Sequence, residues 1–286
     1  MKVFWLVALT MTAFAFNSIL NRLALSPGDT GPAGYAAIRL LSGALLLGLL
    51  IWIRQDARPK FNRHAVWSAS MLTLYALAFS YAYITLPTGA GALILFGGVQ
   101  VISFTVTLMQ GQKIGPLSWL GATLAFAGLY YLLWPDQSTL LDKTGAGLML
   151  ISALGWTFYT LAGARSTDPI GATSLAFILA APVSIMVWLI LPDAISWRGA
   201  ALAILSGAVT SGMGYALWYK VLPSISMPTA SVAQLTVPII AALGGAVLLG
   251  EALSLRFVIA TLFVLCGVGL TIYAQALKTK AVTCQS

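Results

Sequence analysis

Apolar stretches of about twenty residues follow one another along almost the whole chain, and no other feature restricts the possible folds as strongly. Each stretch is long enough to cross the hydrocarbon core of a bilayer, which is roughly 30 Å thick. Only 8% of the 286 residues are charged, whereas an ordinary soluble domain has about 25%. Too few polar side chains remain to cover a surface in water, so we expect a lipid bilayer around most of the protein.

Two kinds of structure can span a bilayer, because backbone groups in lipid must form hydrogen bonds within the protein: α-helices and closed β-barrels. Barrel strands have about ten residues of alternating polarity, whereas the stretches here are continuously apolar and much longer. The sequence therefore predicts an all-α integral membrane protein with ten transmembrane helices. The predicted spans are residues 3–24, 33–53, 65–86, 89–110, 115–134, 145–164, 171–191, 198–221, 228–249 and 253–275.

The distribution of Lys and Arg predicts the orientation, since loops on the cytoplasmic side carry an excess of these residues. With the N-terminus in the cytoplasm, ten of the 15 fall inside, four fall outside, and Arg39 falls within a span. The loop from Arg54 to Arg63 contributes most of this signal. We therefore expect a multi-pass protein of the cell membrane, inner or plasma, with both termini cytoplasmic. Because topology accounts for the net charge of +8, nucleic acid is not an expected partner.

A weak internal repeat divides the chain into two halves. Residues 83–87 (YITLP) resemble residues 219–223 (YKVLP), and Gly111-Gln112 resembles Gly250-Glu251. The matching segments keep their order and lie 136 to 142 residues apart. Five spans per half is an odd number, so the second half must enter the membrane from the opposite side. We therefore predict two inverted five-helix repeats, residues 1–137 and 138–286.

Several of these features together resemble a known family. Ten spans in fewer than 300 residues, Arg39 near the start of the second span, and Gly250-Glu251 before a glycine-rich last span are similar to the drug/metabolite transporter superfamily, EamA type. The resemblance covers the whole chain and implies export or exchange of amino acids, related metabolites or drugs. Gln112 stands where the second half has Glu251, so any role of that acid is restricted to the second half.

The residues needed for catalysis are not found at suitable places, so we do not expect an enzyme. The sole histidine, His64, lies in a loop, and every aspartate also falls in a loop. A histidine within a span, which could activate a serine or cysteine nucleophile, is therefore not expected. The sequence shows neither a phosphate-binding glycine loop nor a metal-ligand spacing, so we expect no cofactor and no metal.

Polar side chains within the predicted spans are candidates for a binding site. Arg39 lies six residues into its span, and a charge in hydrocarbon is costly and usually functional. It could meet a substrate carboxylate, or alternatively reach outward to headgroups or pair with Asp29. Asn17 and Asn21 share one helix face, which must point inward. Asn17 could line a cavity, or the pair could simply hold helices together by hydrogen bonds.

Aromatic residues within the spans complete the predicted site, because an apolar pocket with a few polar groups suits an organic substrate. The alternative is that they only pack or form interfacial belts. Gln234, one turn from Pro238, is a further candidate, at a hinge or at a static kink. The predicted substrate-binding residues are Asn17, Arg39, Tyr75, Phe79, Trp156, Tyr159, Tyr215, Trp218 and Gln234.

These observations together favour a secondary transporter in which two halves rock around a site near the midplane. The expected partners are a small organic substrate and the lipid bilayer, and a homodimer stays open. The substrate would be an amino acid-like or other organic metabolite, exported or exchanged. A membrane channel and a non-transporting membrane interaction protein are the alternatives. The sequence places no carboxylate at mid-membrane, so facilitated diffusion or exchange is as plausible as proton coupling.

Overall fold

The computed structural model describes residues 2–54, 61–111, 114–134, 141–163, 166, 168–221, 224–225 and 233–283. Over these residues the chain forms ten helices and no strand. The helices are α1 (Lys2–Leu25), α2 (Pro32–Arg54), α3 (Arg63–Ala82), α4 (Thr88–Met109), α5 (Pro116–Leu133), α6 (Lys143–Gly163), α7 (Pro169–Ile190), α8 (Trp197–Val221), α9 (Thr236–Leu249) and α10 (Leu255–Thr283).

The prediction of an all-α protein with a series of apolar helices is confirmed for the described residues. Nine of these helices are long and apolar enough to cross a membrane. The exception is α9, whose 14 residues span only about 21 Å at 1.5 Å per residue. Its span was predicted to begin at residue 228. Ala233 and Gln234 are also helical, a turn at Leu235 separates them from α9, and residues 226–232 lie outside the described part.

The ends of the helices follow local capping rules. The Asn62 side chain accepts a hydrogen bond from the Ala65 N–H at 2.9 Å, which caps α3. Asp168 caps α7 in the same way and is followed by a proline at the first helical position. At the other end of a helix, Gly250 terminates α9 with a φ of 67°, a conformation that glycine adopts without strain. Local capping residues therefore mark these helix ends.

Small residues allow several helices to approach one another closely. A Cβ on Gly121 of α5 would overlap the carbonyl oxygen of Gly267 on α10, and the reverse is also true. Between α3 and α6, a Cβ on Gly155 would lie 2.7 Å from the backbone nitrogen of Tyr75. Between α2 and α8, a Cβ on Gly207 would overlap the carbonyl oxygen of Arg39. Backbones thus touch at three helix crossings, as is typical of membrane bundles.

The middle of α8 departs from α-helical geometry. Residues Leu205–Met213 form a π-helix, which packs against α1 and α2. Long π-helical segments are rare and occur frequently at functional sites. This segment carries three buried hydroxyl residues, Ser206, Thr210 and Ser211. The π-helix therefore brings a polar strip into the centre of an otherwise apolar bundle.

The loops that follow the odd-numbered helices meet at one end of the bundle, which we term the loop-linked end. The loop after α1 bonds to the loop after α7 through Gly31 N–H and the Ala194 carbonyl, 2.7 Å apart. The loops after α3 and α5 meet where the Thr85 hydroxyl donates to Asp142 at 2.9 Å. Hydrogen bonds from the Gly145 N–H and from Thr85 hold the pKa of Asp142 below its ordinary value, which keeps it ionised.

An ion pair reinforces the loop-linked end. The guanidinium of Arg22, in the last turn of α1, lies 3.3 Å from the Glu251 carboxylate and also donates to the carbonyl oxygens of Tyr83 and Ile84. Glu251 in turn accepts the Thr88 N–H at 2.8 Å, at the start of α4. One arginine and one glutamate thus tie together the ends of α1, α3, α4 and α9.

Candidate functional site

Arg39 lies in the interior of the bundle, with 1% of its surface exposed. Its Nε and Nη2 atoms donate to the Ser211 hydroxyl at 3.3 and 3.2 Å, and Nη2 also donates to the Tyr75 hydroxyl at 3.1 Å. The guanidinium carbon lies 5.3 Å from the ring centre of Tyr75 and 5.2 Å from that of Phe79. The alternative expectation, exposure to headgroups or a pair with Asp29, is wrong because this side chain is buried among α3 and α8.

The charge of Arg39 is not matched by a carboxylate in the described part of the chain. There, the pair of Arg22 and Glu251 is the one salt bridge. The Nη1 atom of Arg39 is buried and has no hydrogen-bond partner among the described residues. A buried cation that has only neutral partners is energetically unfavourable, and its vacant donor is available to a further acceptor.

Asn17 is held by the π-helical segment of α8. Its side-chain oxygen accepts hydrogen bonds from the hydroxyls of Ser206, Thr210 and Ser211 at 2.9, 2.6 and 3.1 Å. Ser211 also contacts Arg39, so a polar chain runs from α1 through α8 to α2. The acceptor of Asn17 is therefore already occupied. Sequence reasoning missed the three hydroxyl residues, although they form a polar strip in an apolar span.

The second asparagine of α1 connects the helix to α3. The Asn21 amide donates to the Asn17 carbonyl oxygen at 3.0 Å, and its side-chain oxygen accepts the Ser80 hydroxyl at 3.0 Å. Both asparagines face the interior of the bundle, as their spacing predicts. Their described contacts correspond to the alternative in which asparagines join helices by hydrogen bonds.

An aromatic cluster lies beside Arg39 and includes most of the predicted residues. Trp156 is at its centre, with ring-centre distances of 4.9 Å to Tyr75, 5.2 Å to Tyr215 and 5.6 Å to Tyr159. Phe14 of α1 joins the cluster from the other side, 5.6 Å from Tyr215. The bundle thus brings together rings from α1, α3, α6 and α8. The two other predicted aromatic residues are also in ring contact with the cluster, Phe79 with Tyr75 and Trp218 with Phe14.

Two tyrosine hydroxyls near Arg39 are also without a partner. The hydroxyl of Tyr35 faces Ser206, and that of Tyr215 faces Tyr75, but neither forms a hydrogen bond of normal geometry in the described part of the chain. Tyr35 lies one turn before Arg39 on α2, and sequence reasoning did not select it. The spacing of four residues between Tyr35 and Arg39, which places them on one face of α2, could have identified Tyr35 as a candidate.

Gln234 is the one predicted site residue that stands apart from this cluster. It precedes α9 and is partly exposed, and the hydrogen bonds among the described residues do not involve it. Pro238 is buried in the first turn of α9, and Pro182 lies within α7. Pro228 falls outside the described residues. The role of Gln234 therefore stays a prediction.

Most rings of the cluster are buried between the helices, and Trp218 is partly exposed. Two apolar grooves of about 700 and 680 Å³ lie elsewhere, one between α3, α6 and α7 and one between α2 and α7. Neither of these two grooves includes a predicted site residue. Both have the apolar lining expected of a surface that faces acyl chains, whereas the polar and aromatic residues are buried between the helices.

Comparisons with known proteins point to one family. Residues 143–273 match the model of the EamA-like transporter family. An uncharacterised protein of Pseudomonas aeruginosa is 43% identical over 268 residues, which cover 93% of this chain and 92% of that protein. The threonine/homoserine exporter RhtA of Salmonella typhimurium is 26% identical over 87% of this chain and 85% of its own length.

Two further similarities agree with this result. The uncharacterised transporter YwfM of Bacillus subtilis is 27% identical, over 85% of each chain. A solved crystal structure has a TM-score of 0.67 at 17% identity and covers 94% of this chain and 98% of its own. At that identity the structural similarity concerns the fold alone.

Proposed function

This chain belongs to the EamA-like transporter family, and we propose on that premise that it is a secondary transporter that exports or exchanges small organic metabolites by alternating access. Its role as a multi-pass membrane transporter follows from the family, whose members are not enzymes. The class of substrate, the direction of transport and the mechanism are the proposal. Amino acid-like metabolites are included because the related RhtA is named as a threonine/homoserine exporter.

The observation that carries the proposal is the vacant donor of Arg39 beside the aromatic cluster. A carboxylate is the natural acceptor for a guanidinium, and it would neutralise the unmatched charge. The rings of Trp156, Tyr215 and Phe14 would provide an apolar wall for the rest of the substrate. An apolar site with a few convergent polar groups is typical of sites for small organic molecules.

The pattern of helix contacts supports two inverted repeats, residues 1–137 and 138–286. Each helix pair of one proposed repeat has a counterpart in which both helices are shifted by five places along the chain. The contact of α3 with α6 corresponds to that of α8 with α1, and the contact of α4 with α6 corresponds to that of α9 with α1. Helices α2 and α7 form an equivalent pair, as do α5 and α10. Such repeats place the substrate site at their interface.

Arg39 lies at that interface. Its two hydroxyl partners, Tyr75 and Ser211, are 136 positions apart (211 − 75), and its ring neighbour Phe79 precedes Tyr215 by the same 136 (215 − 79). The guanidinium therefore bridges equivalent positions of the two proposed repeats. A relative movement of the halves would change these contacts, which couples the site to the conformation of the protein.

The loop-linked end supports alternating access as the mechanism. In the described conformation hydrogen bonds join the loops after the odd-numbered helices to one another, and we interpret this end as the closed one. In the predicted orientation this end faces outward, with both termini in the cytoplasm. A substrate released outward requires these contacts to separate. A permanently open channel is less favoured, because the polar and aromatic residues are buried rather than lining a pore.

The first test is counterflow in proteoliposomes, with Trp156→Ala as the variant. We expect saturable uptake that is driven by trapped unlabelled substrate, across a panel of amino acids and related carboxylates. Trp156→Ala should weaken apparent affinity by about tenfold, because it removes the central ring of the cluster. Trp119→Ala, at a side chain that is 49% exposed on α5, is the matched control and should leave uptake unchanged.

Trp156→Phe keeps an aromatic ring and covers the case in which the alanine variant folds poorly. Flux that neither saturates nor shows counterflow would favour the channel. The absence of flux for the whole panel would favour a non-transporting interaction protein. An effect of Trp119→Ala as large as that of Trp156→Ala would contradict the location of the site.

The second test concerns orientation. In a variant without native cysteines, Phe61→Cys and Thr144→Cys place single thiols at exposed residues before α3 and at the start of α6. An impermeant thiol reagent should label Thr144→Cys in intact cells and Phe61→Cys only after permeabilisation. Labelling of both from the same side would contradict the proposed topology.

A further inference from the structure

The hydrogen-bonding groups that are free around Arg39 are suited to an anion. The Nη1 atom of Arg39 can only donate, and the buried hydroxyls of Tyr35 and Tyr215 can each donate a proton as well. Tyr35 is one turn from Arg39 on α2, and Tyr215 is one turn from its partner Ser211 on α8. The side-chain oxygen of Asn17, which shares the partner Ser211 with Arg39, already accepts from three hydroxyl groups.

A partner for a positively charged group is not found within the described part of the spans. The carboxylates described by the structure all lie at or beyond helix ends, namely Asp29, Asp142, Asp168, Asp193 and Glu251. Four of these carboxylates have backbone N–H partners: Asp193 binds Ala33 and Gly34, Asp142 binds Gly145, Asp168 binds Gly171, and Glu251 binds Thr88. The site thus holds one fixed positive charge and no fixed negative charge.

We propose that this site selects organic monoanions, carboxylates without an ammonium group, over the zwitterionic amino acids of the same carbon skeleton. The inference rests on the proposed transport function and narrows its class of substrate. A monoanion brings the net charge of the occupied site to zero. Its carboxylate would accept from Nη1 of Arg39, with the buried hydroxyls of Tyr35 and Tyr215 as further donors, and its carbon skeleton would meet the aromatic cluster.

A zwitterion fits the same site less well. Its ammonium group has to leave water without a carboxylate to pair with, which is unfavourable in a low dielectric. The rings could attract a cation, but the guanidinium already lies against Tyr75 and Phe79, and two cations repel each other at short range. The aromatic cluster is therefore a wall for apolar groups and not a cage for ammonium.

Ligand-dependent thermal stabilisation of the purified protein in detergent tests the inference without interference from leakage of weak acids across membranes. The probes have the carbon skeletons of L-phenylalanine, L-leucine and L-2-aminobutanoate. Each skeleton is tested as an anion, a zwitterion, a cation and a neutral amide. For phenylalanine the probes are 3-phenylpropanoate, the amino acid itself, 2-phenylethylammonium and 3-phenylpropanamide. For at least one skeleton the anion should bind at least about tenfold more tightly than the zwitterion, because binding of the zwitterion also buries an unpaired ammonium group. The ammonium form should not stabilise the protein.

Variants at arginine connect the selectivity to the site. Arg39→Gln should abolish the preference for the anion, Arg39→Lys should retain part of it, and Arg198→Gln, at an exposed arginine of α8, should leave it unchanged. A preference for the anion below about tenfold for all three skeletons, or no binding of any anion, would overturn the inference. If the inference fails but zwitterions show counterflow in proteoliposomes, the transport proposal remains valid. If neither thermal stabilisation nor counterflow is observed, both the selectivity and the transport proposals are contradicted.

Discussion

Replacement of Arg39 by glutamine is expected to lower transport about 100-fold or more while the protein still inserts into the membrane. The change removes the fixed charge that meets the substrate carboxylate, and hydrogen bonds to charged groups contribute about 1.5–3 kcal/mol each. Arg39→Lys should retain part of the activity, because the ammonium keeps the charge but loses the planar geometry of the guanidinium. Initial rates of counterflow at several substrate concentrations provide the measurement.

Thermal stability separates this role from a purely structural one. The buried charge of Arg39 has no carboxylate partner among the described residues, so its removal relieves a desolvation cost. The unfolding temperature of Arg39→Gln in detergent should therefore be equal to or above that of the parent protein. Wild-type kinetics in Arg39→Gln, or loss of activity accompanied by an equal loss of folded protein, would contradict the assigned role.

The second large effect is expected at Gly207, where α8 touches α2. The Cβ of Gly207→Ala would overlap the carbonyl oxygen of Arg39 and the hydroxyl of Ser42, so the helices must move apart. Overpacking of this kind typically costs about 1–3 kcal/mol, and here a backbone atom that cannot rotate away is involved. We expect a clearly lower unfolding temperature in detergent and a lower yield of folded protein.

Gly147→Ala is the matched control for this substitution. Gly147 is also within a helix, α6, but nothing lies within 4 Å of its added Cβ. Alanine is the better helix former by about 1 kcal/mol, so this variant should be as stable as the parent protein or more stable. Equal losses in Gly207→Ala and Gly147→Ala would show that the close contact between α2 and α8 is not what restricts the position.

The sequence predicted those parts of the structure that depend on local pattern. Continuous apolar runs locate the helices to within a few residues in most cases. The spacing of Asn17 and Asn21 predicts an inward face, and both side chains are buried. These predictions succeed because one helical period relates the residues involved.

Features that depend on contacts between distant segments could not be predicted in this way. The π-helical segment that turns Ser206, Thr210 and Ser211 toward Asn17 has no recognised periodic signal. The pair of Arg22 and Glu251 joins residues 229 positions apart. The location of the Arg39 side chain could not be predicted either. The sequence allowed a position inside the bundle or an exposed one, and only the packing of α3 and α8 around the side chain decides between them.

The ion pair of Arg22 and Glu251 makes the two faces of the transporter energetically different. The sequence has Gln112 at the place in the first half that corresponds to Glu251, and an amide cannot form an ion pair with an arginine. The side chains of Arg22 and Glu251 are 19% and 16% exposed, so dissolved salt reaches the pair and screens it. A pair of this kind contributes up to about 1 kcal/mol, which corresponds to a factor of about five in an equilibrium constant. The resting population of carriers with this end shut therefore decreases as the ionic strength at that face increases.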